Sequence, residues 1–486
     1  MQMPNNNHTP ADSNQIIPLV IIGGGFSAAA LTIHLCKSDP EIASSITILS
    51  EDSGTRAVGS GAAFGTDNPH FRLNVRSDIM KLFSDRPDDF GKWAATNISD
   101  KQASQPEGNF YRRSDFARYM TATLERICTK GLPAQISTTA ITLRQQGELW
   151  HILHRAGDML MARNIVLATG NPVPRWPCAV NLADHTKQSG SHTSGKLAVN
   201  PKLAVNPKLV VNPWDGSWLD RLEADDALCL IGGGLTAMDG IYAAAQTGHR
   251  ARIMLVSPHG ILPPAQTDWQ TRPAIKWPEE PLTASRFLSY MRTHLKQAGH
   301  DWTQTGWQEM FESLRIELSD KWRELTENDK CRLLKQAGSW WSLARYRSAP
   351  QNFTAAQAML ASGQLSIIKD RVISLTEEGG RIKIRLASGK VLSSDMAVNC
   401  SGVATDLFFE RLITDNVIRA CAFGQSPEVT RALAVYRPDA KAYDNLFALG
   451  AATKGSCGDV VGAGTIAGQA EQLSKILAGR ISSDLS

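Results

Sequence analysis

The sequence predicts an α/β protein with two Rossmann-like dinucleotide-binding domains and an inserted, mostly helical subdomain. Two β-α-β patterns, each with a glycine-rich turn between its first strand and its helix, are the main basis for this prediction. A tryptophan-rich stretch with helical periodicity follows the second pattern. At 486 residues, the chain is long enough for two or three domains that together enclose a large ligand.

The first β-α-β pattern lies close to the N-terminus. Residues 18–22 form a short apolar run typical of a buried parallel strand, and an Ala-rich helix and a second strand at 45–49 follow. A Gly-x-Gly-x-x-Ala pattern joins the first strand to the helix. Its glycines permit a tight turn and the close approach of a pyrophosphate, which the helix N-terminus would bind. An acid at the end of the second strand would accept hydrogen bonds from a ribose. The residues predicted to bind FAD here are Gly23, Gly24, Gly25, Phe26, Ser27, Ala28 and Glu51.

The second β-α-β pattern starts near Ala227, and strands are predicted at 227–231 and 251–256. No acid follows its second strand, where the chain reads Ser257-Pro258. Because an acid would repel a 2′-phosphate, its absence favours NADPH over NADH. Arg345 or Arg347 could supply charge to that phosphate, or could equally form a solvated helix end. The residues predicted to bind the nicotinamide dinucleotide are Gly232, Gly234, Leu235, Thr236, Asp239 and Ser257.

A further pair of strands indicates internal duplication. Each follows a hairpin-like stretch and ends in a small-residue turn, at Thr169-Gly170 in the first half and at Gly402 in the second. We assign these three residues to the cofactor sites, because such turns let the chain pass close to a bound nucleotide. The predicted division is a disordered tail at 1–17, an FAD domain at 18–175 and 403–486, a linker at 176–225, an NAD(P)H domain at 226–263 and 352–402, and a helical insertion at 264–351.

Two segments have unusual composition. The predicted linker contains a hexapeptide repeat, Leu-Ala-Val-Asn-Pro-Lys, over residues 197–213, which we interpret as a local expansion of a surface segment. The insertion contains seven of the twelve tryptophans. Tryptophans are more often packing residues than substrate contacts, but an inserted helical cap is a common place for substrate selection.

Composition and cysteine spacing exclude several classes. A net charge of +4 over this length implies no nucleic-acid or membrane partner, and no apolar run is long enough to span a bilayer. The eight cysteines are scattered without a C-x-x-C pair, which argues against a zinc site, a disulfide framework and the flavin disulfide reductases. No metal site is predicted. Isolated thiols and the absence of a signal peptide favour a cytoplasmic location.

Several motifs resemble a bacterial family of FAD/NAD(P)-binding proteins. The matching stretches include residues 59–66, residues 70–75 with Met80, the segment around Arg113, and residues 449–455. The family is similar in architecture to class B flavin monooxygenases, and one branch resembles NADPH-dependent amino-acid N-hydroxylases. The resemblance implies that Asn74, Met80 and Arg113 belong to the flavin site. It also implies that Gly450, Gly455 and Asp459 lie in a C-terminal segment that contacts the flavin.

No conventional catalytic constellation is present in the sequence, so no catalytic residue is assigned. The absence is typical of flavin enzymes, in which the cofactor carries the difficult chemistry. Our mechanistic hypothesis is that NADPH reduces FAD, that O₂ then forms a flavin C4a-hydroperoxide, and that this species hydroxylates a small molecule, with an amine nitrogen as a candidate. The alternatives are an FAD-dependent oxidase or dehydrogenase that takes electrons from its substrate, and a non-catalytic flavin-binding redox sensor.

Overall fold

The computed structural model describes residues 15–51, 58–181, 206–270, 273–298, 305–421 and 424–485. The part up to residue 181 begins with an α/β unit. Its strands are β1 (Ile16–Ile22), β2 (Ile46–Ser50), β3 (Ser104–Gln105), β4 (Gly108–Asn109), β5 (Ala134–Ser137), β6 (Ala140–Gln146), β7 (Leu149–His154), β8 (Met159–Leu167) and β9 (Ala179–Asn181). Its α-helices are α1 (Phe26–Ser38), α2 (Gly61–Phe64), α3 (Asp89–Asn97) and α4 (Arg113–Ile127).

The part from residue 206 onward repeats this α/β pattern and adds a run of helices. Its strands are β10 (Leu209–Val210), β11 (Leu228–Ile231), β12 (Ile253–Ser257), β13 (Leu365–Lys369), β14 (Val372–Glu378), β15 (Arg381–Leu386), β16 (Val391–Ser394), β17 (Met396–Asn399), β18 (Ala434–Tyr436) and β19 (Ala442–Ala448). Its α-helices are α5 (Leu235–Gln246), α6 (Ala284–Gln297), α7 (Thr305–Arg315), α8 (Leu318–Glu324), α9 (Glu327–Arg345), α10 (Pro350–Ala361), α11 (Leu407–Thr414), α12 (Lys454–Cys457) and α13 (Ala463–Leu485).

The two largest sheets have their central strands in the same order. The first has the order β18-β19-β8-β1-β2-β5, and the hairpin β6-β7 extends it from β8. The second has the order β10-β17-β11-β12-β13 and is parallel throughout. In the first sheet, β1 precedes the glycine-rich turn and lies between β2 and β8. In the second sheet, β11 precedes the turn and lies between β12 and β17, so the two arrangements correspond. The predicted duplication and the predicted fold class are confirmed.

The central strands are buried on both faces. Leu19, Val20 and Ile21 of β1 have no solvent exposure, and neither do Leu228, Cys229 and Leu230 of β11. Helix α1 is buried from Phe26 to Cys36, because it packs between its sheet and α13. Its small residues Ala28, Ala29 and Ala30 allow this close packing. The carboxyl ends of the parallel strands therefore meet the helix N-termini at one edge of each sheet, where a ligand can bind.

The insertion is helical, as the sequence predicts, and it has an apolar core of its own. Helices α6 to α9 bury Phe287, Phe311 and Leu314, together with Trp277, Trp307 and Trp322. Trp269 is also buried, whereas Trp340 is exposed over 52% of its surface. Trp302 lies outside the described residues. Most of the described tryptophans therefore serve packing, as the composition indicates.

The predicted linker at 176–225 contributes strands to two sheets. Strand β9 pairs with β14 at the edge of the antiparallel sheet β16-β15-β14-β9, and β10 pairs with β17. Strand β10 lies in the third copy of the hexapeptide repeat, whose Leu209 and Val210 are buried. The first repeat copy, residues 203–205 of the second, and residues 1–14 of the predicted tail lie outside the described residues.

Within the described ranges, none of the helices has the length and apolar character that a membrane span requires. In the same part of the chain, no group of three or more His, Cys, Asp or Glu side chains is placed to hold a metal ion. All eight cysteines are free thiols.

Candidate nucleotide and substrate sites

The first glycine-rich turn closes tightly against two strands. Gly23 has φ +113°, and a Cβ atom there would lie 2.2 Å from the carbonyl oxygen of Ala168. The Gly23 N–H donates to the Leu49 carbonyl over 2.8 Å. This position therefore requires glycine for both its backbone conformation and its close approach to β8. Helix α1 begins at Phe26, and the first N–H groups of a helix have no carbonyl within the helix to bind. They form a site for an anion such as a pyrophosphate.

A second glycine pair packs on top of this turn. The Gly59 N–H donates to the Gly24 carbonyl over 2.9 Å. Gly61 has φ +50°, and a Cβ atom there would lie 2.8 Å from the Cα of Gly25. In the sequence, this Gly-Ser-Gly segment stands out only through the family resemblance. Gly59 and Gly61 indicate that the backbone of this segment contacts another part of the chain, but the sequence does not show that the contact is with the first glycine-rich turn.

The second turn repeats the backbone of the first. Gly232 has φ +109°, its Cβ would lie 2.3 Å from the Cys400 carbonyl oxygen, and its N–H donates to Val256 over 2.8 Å. The residues before the two helices also match, with φ −81° and ψ −166° at Gly25 and φ −87° and ψ −168° at Gly234. A Cβ atom on Gly234 would meet no described atom within 4 Å. This turn therefore offers open space to a ligand at the position where a pyrophosphate is expected.

The strand ends beside the two turns differ in charge. Ser50 and Ser257 occupy equivalent places, because Cβ atoms on Gly24 and Gly233 would approach their hydroxyl oxygens to 2.8 and 3.1 Å. Glu51 follows the first serine, is well exposed and pairs with Arg155 over 3.0 Å. Pro258 follows the second serine. The Ser257 hydroxyl accepts a bond from the Gly260 N–H over 3.1 Å, so it also fixes the turn that follows β12.

Neither interpretation of Arg345 and Arg347 fits the structure. Both side chains are buried, with exposed fractions of 9% and 0%. Arg345 pairs with Asp459 and Arg347 pairs with Glu312. They are therefore neither a solvated helix end nor free charges for a 2′-phosphate. The C-terminal segment supplies Arg345 with a carboxylate and the insertion supplies Arg347 with one, and neither pairing is visible in the linear sequence.

Two residues predicted for different sites contact each other. Arg113 at the start of α4 pairs with Asp239 of α5 over 2.5 Å, and the Asn352 amide donates to the other Asp239 oxygen over 3.0 Å. Arg113 also donates to the carbonyls of Arg72 and Ala63. The pair thus joins the two nucleotide-binding units directly. Burial raises the pKa of the Asp239 carboxyl to about 6, against the opposing effects of Arg113 and Asn352.

This raised pKa predicts a pH-dependent stability. A carboxyl with a higher pKa in the folded protein binds its proton more tightly when the chain is folded. The proton on Asp239 therefore stabilises the fold fully below the unfolded pKa of 3.8, and this stabilisation is lost as the pH rises through about 6. We expect the difference in unfolding free energy between wild type and Asp239→Asn to shift in favour of wild type by about 1–3 kcal/mol from pH 7 to pH 4.5. Denaturation midpoints of both proteins at both pH values measure the shift. An equal difference at the two pH values would contradict it.

The residues assigned by resemblance lie in several places. Asn74 lies between the first unit and the insertion, where its side chain donates to the Arg347 carbonyl over 3.3 Å and its own carbonyl accepts a bond from Gln266 over 3.0 Å. Met80 is buried in the core of the first unit. Gly450 has φ +71°, and a Cβ atom there would lie 2.3 Å from the Ser27 hydroxyl oxygen. The C-terminal segment is thereby brought against the start of α1.

The small-residue turns after β8 and β17 are alike. Gly170 and Gly402 have φ +71° and +110°, and a Cβ atom on either would meet no described atom within 4 Å. The Thr169 hydroxyl donates to the Asp406 carboxylate over 3.2 Å. That carboxylate also caps α11 through the Phe408 N–H, and burial raises its pKa. These turns are open, which is the property that the sequence predicts for a backbone passing a nucleotide.

A large cavity lies between the insertion, the turn after β8 and the C-terminal segment. Its volume is about 580 Å³, within the usual range for small-molecule sites. Of the predicted site residues, Gly170, Gly455 and Asp459 line it, whereas the glycine-rich turns do not. Its walls are mostly apolar side chains of α6, α7 and α9 with Trp322 of α8. The tryptophan-rich composition predicts a helical cap that selects the substrate, and the lining of the cavity supplies the residues that composition alone does not identify.

Comparison with protein families matches the N-terminal part of the chain, which contains the first turn. Residues 20–172 match a family model described as FAD-NAD(P)-binding. The N-terminal unit is an FAD-NAD(P)-binding domain. The first turn, the loop above it and the turn at Gly170 all fall within the matched residues. No curated protein matches the chain.

Solved structures share the fold over nearly the whole chain. The ornithine N-hydroxylase of Kutzneria sp. 744 is 14% identical, with a TM-score of 0.60, covering 97% of this chain and 100% of its own. The L-lysine 6-monooxygenase of Pseudomonas syringae is 15% identical, with a TM-score of 0.59 and coverages of 95% and 99%. A bacillithiol disulfide reductase of Bacillus cereus is 13% identical, with a TM-score of 0.52 and coverages of 96% and 100%. At these identities the likeness establishes the fold, which several activities share.

The residues present fit two dinucleotides. At the FAD-NAD(P)-binding domain, a glycine-only turn presents the free N–H groups of α1, with Glu51 at the adjacent strand end. At the second turn, Gly234 leaves room for close approach of a ligand, and the adjacent strand end carries no acid. The first set of residues would hold FAD and the second NAD(P)H.

Proposed function

We propose that this protein is an FAD-dependent, NADPH-using monooxygenase that transfers one oxygen atom from O₂ to a small molecule. The observation that carries the proposal is the pair of matching nucleotide turns within one chain, combined with a large apolar cavity beside the insertion. The similar structures named as ornithine N-hydroxylase and L-lysine 6-monooxygenase support the same reaction class. An amine nitrogen is therefore a candidate for the hydroxylated atom.

The protein's own groups would mainly bind, orient and exclude water. The N-terminus of α1 would hold the pyrophosphate of FAD, and that of α5 would hold the pyrophosphate of NADPH. Bound FAD would accept electrons from the nicotinamide and activate O₂, chemistry that side chains do not provide. The insertion would cover the reacting groups, because its apolar side chains close one side of the cavity.

The strand end at Pro258 supports NADPH over NADH as the reductant. Where the first unit has the ribose-binding acid Glu51, the second has a proline, so no carboxylate there would repel a 2′-phosphate. The two arginines that sequence reasoning proposed for the phosphate are committed to other partners. The preference for NADPH would therefore depend on two features of this strand end. No carboxylate there repels the 2′-phosphate, and the Ser257 hydroxyl could hydrogen-bond to it.

The free thiols are compatible with a reducing compartment, and we propose a cytoplasmic location on that basis. The positions of the thiols also argue against the activity of the disulfide reductases that share the fold. Cys36 and Cys128 lie close enough for their thiols to interact, but both are buried within the first unit. No C-x-x-C pair is present in the sequence.

The test is a turnover experiment under ¹⁸O-labelled O₂. The flavin-loaded protein is incubated with NADPH and a mixture of ornithine, lysine, aniline and indole, and the products are analysed by mass spectrometry. We expect a product that carries one labelled oxygen and forms only when NADPH is present. A product without label that forms without NADPH would instead indicate an oxidase or dehydrogenase and would overturn the proposal.

A further inference from the structure

The strand end of the second unit has no cation of its own for a 2′-phosphate. Residues 258–265, which follow β12, contain neither lysine nor arginine. Arg345 and Arg347, the two arginines that the sequence offers, are paired with carboxylates elsewhere. Phosphates bound to proteins are commonly contacted by Lys or Arg as well as by neutral donors. A cation for this phosphate would therefore have to come from a neighbouring element.

Strand β13 places a lysine beside this strand end. Strands β12 and β13 are parallel neighbours, and Lys369 is the register partner of Ser257. The Asp370 N–H donates to the Ser257 carbonyl over 3.1 Å, which fixes the last step of the ladder. Neighbouring strands lie about 4.8 Å apart, and paired residues of parallel strands project from the same face of the sheet. Lys369 thus lies one strand away from the expected ribose position, on the same face as Ser257.

The loop after β12 packs the base of Lys369 against the second glycine-rich turn. Gly260 has φ +64°, and a Cβ atom there would lie 2.8 Å from the Cβ of Lys369. A Cβ atom on Gly233 would lie 3.1 Å from the Ser257 hydroxyl oxygen and 3.3 Å from the Ile261 carbonyl oxygen. The turn, the loop and Lys369 therefore meet around Ser257 at the carboxyl edge of the sheet, where the adenosine end of a dinucleotide is expected.

The positive charge of Lys369 is free to bind a ligand. Its side chain is exposed and has no ion pair or hydrogen bond with any residue that the structure describes. The adjacent acid, Asp370, accepts bonds from the N–H groups of Arg371 and Ser388 over 2.7 and 3.4 Å. The Asp370 carboxylate is therefore engaged in the turn between β13 and β14. With two cations and one acid, residues 369–371 carry one net positive charge.

We infer that Lys369 binds the 2′-phosphate of NADPH and thereby selects NADPH over NADH. The inference rests on the proposed use of NADPH, and it assigns the charge to β13 rather than to the segment that follows β12. The flexible four-carbon stem of a lysine lets its ammonium group reach across one strand spacing. The Ser257 hydroxyl accepts a bond from Gly260, so it keeps its own proton to donate to the same phosphate.

Binding of the two oxidised dinucleotides to the flavin-loaded protein tests the inference. NADP⁺ and NAD⁺ differ only in the 2′-phosphate, and neither reacts with oxidised flavin, so calorimetry gives equilibrium affinities. Wild type should bind NADP⁺ more tightly than NAD⁺. In Lys369→Gln, we expect the Kd for NADP⁺ to rise at least about tenfold, as for the loss of a hydrogen bond between charged groups. The Kd for NAD⁺ should change by less than about twofold.

Three further variants separate this contact from general effects of charge. Lys369→Arg keeps the positive charge and should keep most of the preference for NADP⁺. Lys369→Glu places a carboxylate beside the phosphate, so NADP⁺ should then bind more weakly than NAD⁺. Arg252→Gln removes one positive charge at an exposed site five residues before Ser257, at the opposite end of β12. It is the matched control and should leave both affinities unchanged.

An unchanged ratio of the two affinities in Lys369→Gln would overturn the inference, and so would equal affinities in wild type. If wild type bound neither dinucleotide, the second turn would not be a nucleotide site, and the proposed function would fail together with the inference. The readout is equilibrium binding, so a failure of the labelled-oxygen experiment alone would refute the proposed reaction without changing this result.

Discussion

Gly234→Val should strongly weaken NADPH binding while leaving the fold and the flavin in place. A Cβ atom at Gly234 meets no described atom within 4 Å, and its φ of −87° suits any residue, so the folded protein can accommodate valine. The added methyl groups would occupy the space that lets a pyrophosphate reach the α5 N-terminus. We expect the Kd for NADPH to rise about a hundredfold, equivalent to about 2.7 kcal/mol. Anaerobic titration followed by flavin absorbance measures it.

Gly232→Ala, two residues earlier, provides the contrasting control. Its Cβ would lie 2.3 Å from the Cys400 carbonyl oxygen, and its φ of +109° is unfavourable for any side chain. This variant should therefore lose stability before it loses affinity. If Gly234→Val bound NADPH as wild type does, the assignment of the second turn to a nucleotide would be wrong. If it unfolded like Gly232→Ala, the open space at Gly234 would be contradicted.

Arg347→Met should destabilise the insertion by about 3–5 kcal/mol, the range measured when a buried ion pair loses one partner. Arg347 has no solvent exposure, pairs with Glu312 over 2.6 Å and lies 5.2 Å from the Trp307 ring centre. Burial lowers its pKa to about 10, in spite of Glu312. The variant leaves Glu312 with Arg315 as its remaining ion-pair partner and disturbs the aromatic side chains around the vacated guanidinium group.

The loss should be confined to the insertion, because the two nucleotide units have cores of their own. Hydrogen exchange should accelerate in α7 and α9, while β1 and β11 remain protected and FAD remains bound. Arg332→Met, at an exposed site on α9, is the matched control and should shift stability by no more than about 0.5 kcal/mol. Equal exchange rates in the two variants would contradict the structural role of the Arg347 pair.

The two nucleotide turns could be predicted from sequence because their determinants are local. A buried apolar strand, a glycine-rich turn and a helix rich in small residues follow one another directly in both halves, and each feature has its own physical reason. The structure places Gly23 and Gly232 in the same conformation, as the repeated pattern predicts. The helical character of the insertion followed in the same way from its periodicity.

Pairings that depend on tertiary structure could not be predicted in this way. Asp239 follows a recognisable turn, but its partner Arg113 comes from a different unit, 126 residues earlier. The partners of Asp459 lie 144 and 114 residues earlier, on helices whose relative position depends on how the insertion packs. The sequence offers Arg345 and Arg347 as charges for a 2′-phosphate or as a solvated helix end, whereas the folded chain shows that both are buried against carboxylates.

The central claim, that one chain holds FAD and uses NADPH to reduce it, is tested most directly by one titration. The purified protein is examined for flavin absorbance, titrated with NADPH without oxygen, and then exposed to air. We predict one FAD per chain, loss of its visible absorbance as NADPH is added, and recovery of that absorbance in air. A protein without flavin, or one whose flavin absorbance does not change with NADPH, would contradict the account.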